Sequence, residues 1–173
     1  DWSGIAEMPL SERIVYKGSL TLEGSIRYAY DDENLYFAVT AEDDVHHPVI
    51  DLNTYYTGDG IQFTVCGIND RFGHGYGFSC DPTSGEIYNN SYDKLQYAFR
   101  REGTQSIYEV AIPWTDYFPD GKQNGVLFCL IVNDNDDDGD GRKGCIMVSE
   151  GIASDKKSDE YPVLLMADNH SGY

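Results

Sequence analysis

The chain has 173 residues, 40% of them hydrophobic, a length that supports one sizeable core and not two comfortable domains. Twelve Lys and Arg against 30 Asp and Glu give a formal net charge of −18, which disfavours nucleic acid and anionic membranes as partners. No apolar run reaches the roughly 20 residues of a membrane span, and no leader precedes Asp1. We therefore expect one monomeric domain over residues 1–173, a piece excised from a larger protein.

Short runs of aromatic and β-branched residues between Gly, Asn and Asp predict strands, with no sustained helical period. Residues 25–30 and 34–42 predict a hairpin around the turn 31–34, with Leu35, Phe37 and Val39 facing the core. Further strands are predicted at 61–66, 76–80, 95–100, 107–112, 126–132, 145–149 and 163–166, with one helical turn at 114–118 after Pro113. The pattern predicts an all-β fold, a two-sheet antiparallel β-sandwich of jelly-roll or immunoglobulin-like type.

The cysteines, Cys66, Cys80, Cys129 and Cys145, lack the close paired spacing of zinc or redox motifs. Cys66 with Cys80, and Cys129 with Cys145, lie on segments that could pair across hairpins, which allows two local disulfides in an oxidising compartment. Four buried free thiols are an equally good interpretation, because a free cysteine behaves as a small hydrophobe.

The most acidic segment, residues 133–141, reads NDNDDDGDG between two predicted strands. Alternate carboxylates on a tight loop can converge on one cation, and glycine permits the sharp turn. The pattern D-x-D-x-D-G occurs here in two overlapping registers, starting at Asp134 and at Asp136, and neither supplies the glutamate that an EF-hand has at its twelfth position. A solvated acidic loop is the alternative interpretation. We expect a structural calcium ion at Asp134, Asp136, Asp138 and Asp140, and a second site could use Asp31, Asp32, Asp43 or Asp44.

Six segments taken together carry a family resemblance, namely DWSGI at 1–5, YAYDDENLYF at 28–37, GDGIQF at 58–63, YGFSCDP at 76–82, YEVAIPW at 108–114 and VNDND at 132–136. In this order they resemble the family 9 carbohydrate-binding modules of plant-polysaccharide-degrading enzymes, and the wider DOMON-like sandwich group, nearly end to end. The resemblance implies a β-sandwich that binds glycans, has no catalytic activity, and is attached to a secreted hydrolase or cell-surface protein.

In such modules two tryptophans sandwich a terminal sugar, and nearby charged groups bind its hydroxyls. Matched on residues 58–62, the first tryptophan falls on Tyr56, a sugar-contacting acid on Gln62, an arginine on Ser79 and the second tryptophan near Asp155. We therefore expect one aromatic platform that binds along a plant cell-wall chain of β-glucan, cellulose, xylan or mannan. Its expected residues are Tyr55, Tyr56, Gln62 and Ser79, extended by Tyr88, Tyr92 or Tyr97, while Trp2 and Trp114 are assigned to framework packing.

Three other functions were weighed against this one. Asp59 with Glu109 could act as acid and base in glycoside hydrolysis, but both lie in framework-like segments and no G-x-S-x-G is present. A DOMON-like haem domain for electron transfer would need axial ligands from among Met8, Met147, Met166, His46, His47, His74 and His170. Met147 and Met166 are better explained as core residues, and His46 and His47 as an exposed loop pair. The third is a protein-interaction module that has lost its sugar site.

Overall fold

The structure, a computed structural model, describes residues 1–49, 51, 53–69, 74–81, 83–89, 94–118, 120–136, 139, 141–153 and 158–166, without the side chains of 74–76, 79 and 87–89. Short strands dominate the described residues: β1 (Met8–Pro9), β2 (Glu12–Val15), β3 (Glu23–Tyr30), β4 (Asn34–Glu42), β5 (Gly60–Gly67), β6 (His74–Cys80), β7 (Ile87–Asn89), β8 (Gln96–Glu102), β9 (Gln105–Pro113), β10 (Gly125–Asp134), β11 (Gly144–Met147) and β12 (Val163–Leu165).

The strands form two antiparallel sheets, which confirms the predicted β-sandwich. Sheet A has the order β1-β3-β4-β9-β8, and sheet B has the order β2-β11-β10-β5-β6-β7. The last strand, β12, pairs with the first residues of β10, opposite the edge that β5 occupies. Each strand presents alternate residues to the space between the sheets, so the alternation in the sequence becomes one core and two outer faces.

The core lies between the sheets and is built around Phe37. The predicted inward residues of β4, Leu35, Phe37 and Val39, are each 0% exposed. The Phe37 ring centroid lies 4.8 Å from that of Phe63 in β5 and 5.3 Å from that of Phe128 in β10, both edge-on. Aromatic pairs of this kind add about 0.5–1.5 kcal/mol each beyond burial, so they hold sheet A against sheet B.

The nine strands expected from the sequence are confirmed, and three others were missed. These are β1, β2 and β7, which have only two to four residues. At this length a strand has no measurable alternation, and backbone pairing with a longer neighbour defines it.

The predicted helical turn is confirmed as α1 (Trp114–Tyr117). Trp114 is 1% exposed, and its Nε1 donates to the carbonyl oxygen of Asp31 at 3.0 Å. The helix therefore closes over the β3–β4 turn, and Trp114 has the packing role assigned to it. No helix among the described residues is long and apolar enough to cross a membrane.

All four cysteines are free and buried. Because β5 and β6 are antiparallel with Ile61 opposite Phe78, Cys66 and Cys80 lie at opposite ends of that pair. In the β10–β11 register Cys145 lies opposite Asn133, four residues from Cys129. Neither disulfide considered from the sequence forms, and burial raises the pKa of the Cys129 and Cys145 thiols, which disfavours the reactive thiolate.

Candidate functional site

A chain of polar side chains lies on the outer face of sheet B, where β5 and β10 pair. Gln62 and Asn133 both occupy outward positions, since their strand neighbours Ile61, Phe63 and Val132 belong to the core. Asn133 Nδ2 donates to Gln62 Oε1 at 3.2 Å, and Arg142 Nη1 donates to Asn133 Oδ1 at 3.0 Å. The three side chains thus form a continuous row of donors and acceptors.

An exposed aromatic ring lies beside this row. Tyr56, in the 3₁₀ turn Tyr55–Thr57 that leads into β5, is 42% exposed. The Arg142 guanidinium carbon lies 5.9 Å from the centroid of the Tyr56 ring and 4.4 Å from that of the Tyr16 ring, which is 44% exposed. Cation–π attraction of this kind holds the guanidinium between the rings. We call Tyr16, Tyr56, Gln62, Asn133 and Arg142 the tyrosine–arginine surface.

Tyr55 does not share this exposure, and its expected role as a second platform ring is wrong. Its side chain is only 8% exposed and lies over Gly77 of β6. A Cβ at Gly77 would lie 2.5 Å from Cε2 of Tyr55, so the missing side chain makes room for the ring. The two tyrosine rings meet almost perpendicularly, at 85° with centroids 6.2 Å apart. Tyr55 therefore supports Tyr56 from below.

The other expected sugar contacts are only partly described. Ser79 and Tyr88 lie directly opposite each other in β6 and β7, but their side chains are outside the described residues. Tyr92 and the Asp155 region also lie outside them. Tyr97 is half-buried and stacks on Phe78 at 5.2 Å, toward the core and away from the platform.

Sequence reasoning missed Tyr16, Asn133 and Arg142. Asn133 begins the acidic segment, whose pattern predicts a metal site. The family resemblance places a sugar-contacting arginine at residue 79. The one available signal was a cation, Arg142, directly after a run of carboxylates. Its position over two rings depends on the register of β2, β10 and β11, which a single sequence does not display.

A cluster of carboxylates lies at one end of the sandwich and contains residues from both sheets. Asp43 and Asp44 follow β4 of sheet A, while Asp134 and Asp136 lie at the end of β10 in sheet B. The carboxylate oxygens of Asp43, Asp44 and Asp136 lie within 4.8 Å of one another. Asp134 is 0% exposed, and within the described part of the chain neither of its carboxylate oxygens has a hydrogen-bond partner.

The cluster raises the pKa values of its buried members. Burial, together with the nearby Asp43 and Asp136 charges, raises the pKa of Asp134 to about 7. Burial also raises the pKa of Asp43 to about 6, against the opposing effects of the Val45 backbone N–H and the Arg101 charge. Two buried oxygens without partners among the described residues, beside three further carboxylates, fit a hard divalent cation, which neutralises the repulsion between the charges.

The ligands expected from residues 133–141 alone are only partly described. Asp138 and Asp140 lie outside the described residues. The carboxylates with oxygens within 4.8 Å of one another are those of Asp43, Asp44 and Asp136, and Asp134 is close enough for their charges to raise its pKa. Asp31 and Asp32 lie elsewhere. Asp31 Oδ1 accepts the backbone N–H groups of Glu33 and Asn34 in the β3–β4 turn, and Asp32 pairs with Lys122 at 2.7 Å.

Asp59 and Glu109, the pair considered for catalysis, do not share a site. Asp59 is 2% exposed and accepts the backbone N–H of Asn135 at 2.8 Å and that of His47, so it ties two loops together. Glu109 lies on the outer face of sheet A, where it accepts the Trp2 indole N–H. The interpretation of these two residues as an acid–base pair is therefore wrong.

The candidate haem ligands are also accounted for within the described residues. Met147 and Met166 are buried, at 0% and 6% exposure, as predicted. His46 is half-buried, and its ring stacks on Phe99 at 5.4 Å with Nε2 lying 2.9 Å from the carbonyl oxygen of Cys80. His47 is half-buried as well, so the expectation of an exposed histidine pair is wrong. The His74 side chain and His170 lie outside the described residues.

The fold and this surface define a β-sandwich module with an aromatic and polar recognition face. Residues 1–160 match the family described as "Carbohydrate family 9 binding domain-like", and the chain belongs to this family of binding modules. No curated protein matches the chain.

Three solved structures show the same fold at low sequence identity. Two of them are structures of a family 9 carbohydrate-binding module from Caldicellulosiruptor kristjanssonii. The complex with cellotriose has 13% identity to this chain and the complex with glucose has 12%, each with a TM-score of 0.74. They cover 98% of this chain and 87% and 90% of theirs. The third, a putative carbohydrate-binding protein from Bacteroides uniformis ATCC 8492, has 13% identity and a TM-score of 0.63, covering 94% and 86%.

Proposed function

We propose that this chain is a non-catalytic carbohydrate-binding module that binds plant cell-wall polysaccharide, a β-glucan or cellulose, a xylan or a mannan, through the tyrosine–arginine surface. The observation that carries the proposal is the exposed Tyr56 ring beside the hydrogen-bonded row of Gln62, Asn133 and Arg142. Family membership and the sugar complexes of the Caldicellulosiruptor module support the ligand class. The parent protein is secreted or attached to the cell surface, and the module acts as a monomer.

Sugar chemistry explains why this surface suits a glycan. A pyranose ring presents an apolar C–H face and a rim of hydroxyls, and the Tyr56 ring supplies an aromatic face that can pack on the C–H face. The half-buried Gln62 amide can donate and accept, and Arg142 adds charged donors for the hydroxyl rim, while Asn133, only 2% exposed, holds both side chains in place through its hydrogen bonds. The rings of Tyr16 and Tyr56 are both exposed here, and the Arg142 guanidinium occupies the space between them, which suits contact along the side of a chain.

A structural calcium ion is the second part of the proposal. Asp43, Asp44, Asp134 and Asp136 would hold it, since calcium takes oxygen ligands and flexible geometry. The ion would join the end of β4 to the end of β10, and so sheet A to sheet B. Between Asp134 and Asp136, the Asn135 side chain donates to the carbonyl oxygen of Thr57 at 2.8 Å. Calcium would thereby also fix the turn that carries Tyr56.

Affinity electrophoresis tests the proposal most directly. Native gels containing a soluble β-glucan, xylan or mannan are run with calcium or with EGTA, beside a gel without polysaccharide. We expect retardation on at least one polysaccharide with calcium and weaker retardation with EGTA. Free migration on every gel would contradict sugar binding and favour a protein-interaction module, and a Soret absorption band in the purified protein would favour haem.

The calcium-free protein is expected to lose stability as the pH rises. The pKa values of Asp43 and Asp134 are raised from the usual 3.8 to about 6 and about 7, mainly by burial. A raised carboxyl pKa stabilises the fold below the unfolded-state pKa, and this contribution is lost as the pH rises through the folded-state value.

Thermal unfolding of calcium-stripped protein between pH 5 and pH 8 measures this effect. We expect the Tm to fall by at least about 5 °C, since about 1 kcal/mol shifts the Tm of a domain of this size by 2–4 °C. Added calcium should reduce the fall at pH 8, because it binds the ionised carboxylates of Asp43 and Asp134, while Asp59, whose pKa burial raises to about 9, contributes a part that remains. A Tm that rises with pH in the stripped protein would contradict the carboxylate cluster.

A further inference from the structure

A groove crosses the outer face of sheet A, on the opposite side of the sandwich from the tyrosine–arginine surface. The N-terminal segment lies over it, and Trp2 Nε1 donates to Glu109 Oε1 at 2.5 Å. Depressions of about 490 Å³ and 480 Å³ share Trp2 and Glu109 as lining residues. Each has the size of a small-ligand site, which is commonly about 300–1,000 Å³.

The first depression has a floor of small residues and aromatic walls, one of which is held in place by hydrogen bonds. Its floor is formed by small outward residues of three strands, Ala29, Ala98 and Ala111, and Trp2 and Tyr36 supply aromatic walls. The Tyr36 hydroxyl donates to Asp31 Oδ2 at 2.8 Å and accepts from Asn34 Nδ2 at 3.0 Å. The ring is therefore held in place before any ligand arrives, which lowers the entropic cost of binding.

Polar groups without partners border the same depression. Within the described residues, the exposed Gln96 side chain makes no hydrogen bond, and Glu109 Oε2 makes none either. An amide offers both donors and acceptors, and a carboxylate accepts two hydroxyl hydrogens. An aromatic wall with an amide and a carboxylate at its edge can bind both the C–H face and the hydroxyl rim of a sugar.

The charge around the groove favours an uncharged ligand. Asp1 and Glu109 line both depressions, while Arg27, which pairs with Glu7, and Arg100 line the second. A strongly cationic or anionic ligand would meet a like charge at one end of the groove, whereas hydroxyl groups can pair with either sign.

From this geometry we infer a second carbohydrate site in the Trp2 groove, which takes a short stretch of a neutral glycan chain. It rests on the glycan class of the proposed function but uses a different sheet and different residues. Two sites on opposite faces make the module bivalent, so it can engage two chains or two parts of one polymer, and apparent affinity for polymer exceeds that of either site.

Tryptophan fluorescence separates the two sites. The chain has two tryptophans, and Trp114 is only 1% exposed, whereas the tyrosine–arginine surface contains none. Titration with cellotriose, xylotriose and mannotriose is expected to change the emission of Trp2 with at least one of them. The response should persist in Tyr56→Ala, which lacks the first site, and disappear in Trp2→Phe.

Gln96→Ala provides a test that leaves Trp2 in place. We expect its fluorescence-detected affinity to fall by about fivefold or more, with Gln123→Ala as the matched control for loss of one amide outside the groove. The second site is overturned if no oligosaccharide alters Trp2 emission, if Tyr56→Ala abolishes the response, or if Gln96→Ala binds as tightly as the parent. Retardation that is lost in Tyr56→Ala but unaffected in Trp2→Phe and Gln96→Ala would leave only the first site. The reverse pattern would leave only the second.

Discussion

Asp134→Asn is expected to abolish most of the stabilisation that the proposed calcium ion would give this protein. At a calcium concentration about 100 times the Kd, binding contributes about 2.7 kcal/mol to the free energy of unfolding, which corresponds to about 5–10 °C in Tm. Asp134 is 0% exposed, and neither of its carboxylate oxygens has a hydrogen-bond partner among the described residues. Among the proposed ligands it is therefore the one whose carboxylate has no other interaction to lose. The amide keeps the shape and removes the charge that a calcium ion requires.

The measurement is a pair of thermal unfolding curves, with calcium and with EGTA at pH 8, for each variant. In EGTA, Asp134→Asn should be at least as stable as the parent chain, because a buried, repelled carboxylate has been removed. Asp32→Asn is the matched control, since it removes the same charge from a side chain that is 95% exposed and pairs with Lys122. Equal calcium increments in the parent chain and Asp134→Asn would contradict this ligand assignment.

Tyr56→Ala is expected to weaken polysaccharide binding by about 30-fold or more. Truncation of a central aromatic contact typically costs about 2 kcal/mol or more, and each 1.4 kcal/mol is tenfold in Kd. The alanine also removes one of the two rings that hold the Arg142 guanidinium, so a hydroxyl partner is displaced with the platform. Affinity electrophoresis over a range of polysaccharide concentrations yields the change in Kd.

Two variants distinguish recognition from folding. Tyr56→Phe keeps the ring and should retain most of the binding, because the aromatic face carries the contact. Leu165→Ala removes a side chain that is 67% exposed at the other end of β10, and it should bind like the parent chain. Unchanged retardation in Tyr56→Ala would move the sugar site away from the tyrosine–arginine surface.

The carboxylate cluster and the tyrosine–arginine surface are adjacent in the structure, which links the two predictions. Asn135 lies between Asp134 and Asp136. Its backbone N–H donates to the Asp59 carboxylate, and its side-chain amide donates to the carbonyl oxygen of Thr57. Asp59 in turn accepts the N–H of His47. We therefore expect calcium removal to loosen the loop that contacts the Tyr56 turn, so that EGTA weakens sugar binding even where the fold persists.

Local patterning was enough to predict most of the strands. Leu35, Phe37 and Val39 alternate with more polar residues, and burial of every second side chain is what a sandwich strand requires. The missed strands β1, β2 and β7 are too short to show such a period. The disulfide alternatives depended on register, which places Cys66 and Cys80 at opposite ends of their hairpin.

The candidate sites were predictable only in part. Tyr56 and Gln62 were named from a short matching segment, but Tyr55 looked equivalent to Tyr56 because adjacent loop residues carry no signal of which one faces the sheet. Gly77, distant in sequence, decides this by leaving space for the Tyr55 ring. In the same way the acidic segment predicted a cation, while its partners Asp43 and Asp44 come from the other sheet.

The amino-acid sequence by itself determined the all-β class, the inward faces of the long strands, the acidic loop and the family, because these depend on local periodicity and on short segments in a fixed order. Only the tertiary structure decided which residues meet. The register of β2, β10 and β11 sets Arg142 over Tyr16 and Tyr56, and the closure of the two sheets brings Asp43 to Asp134. Such contacts arise between strands distant in the chain, where the pairing energy depends on the whole core and not on neighbours in sequence.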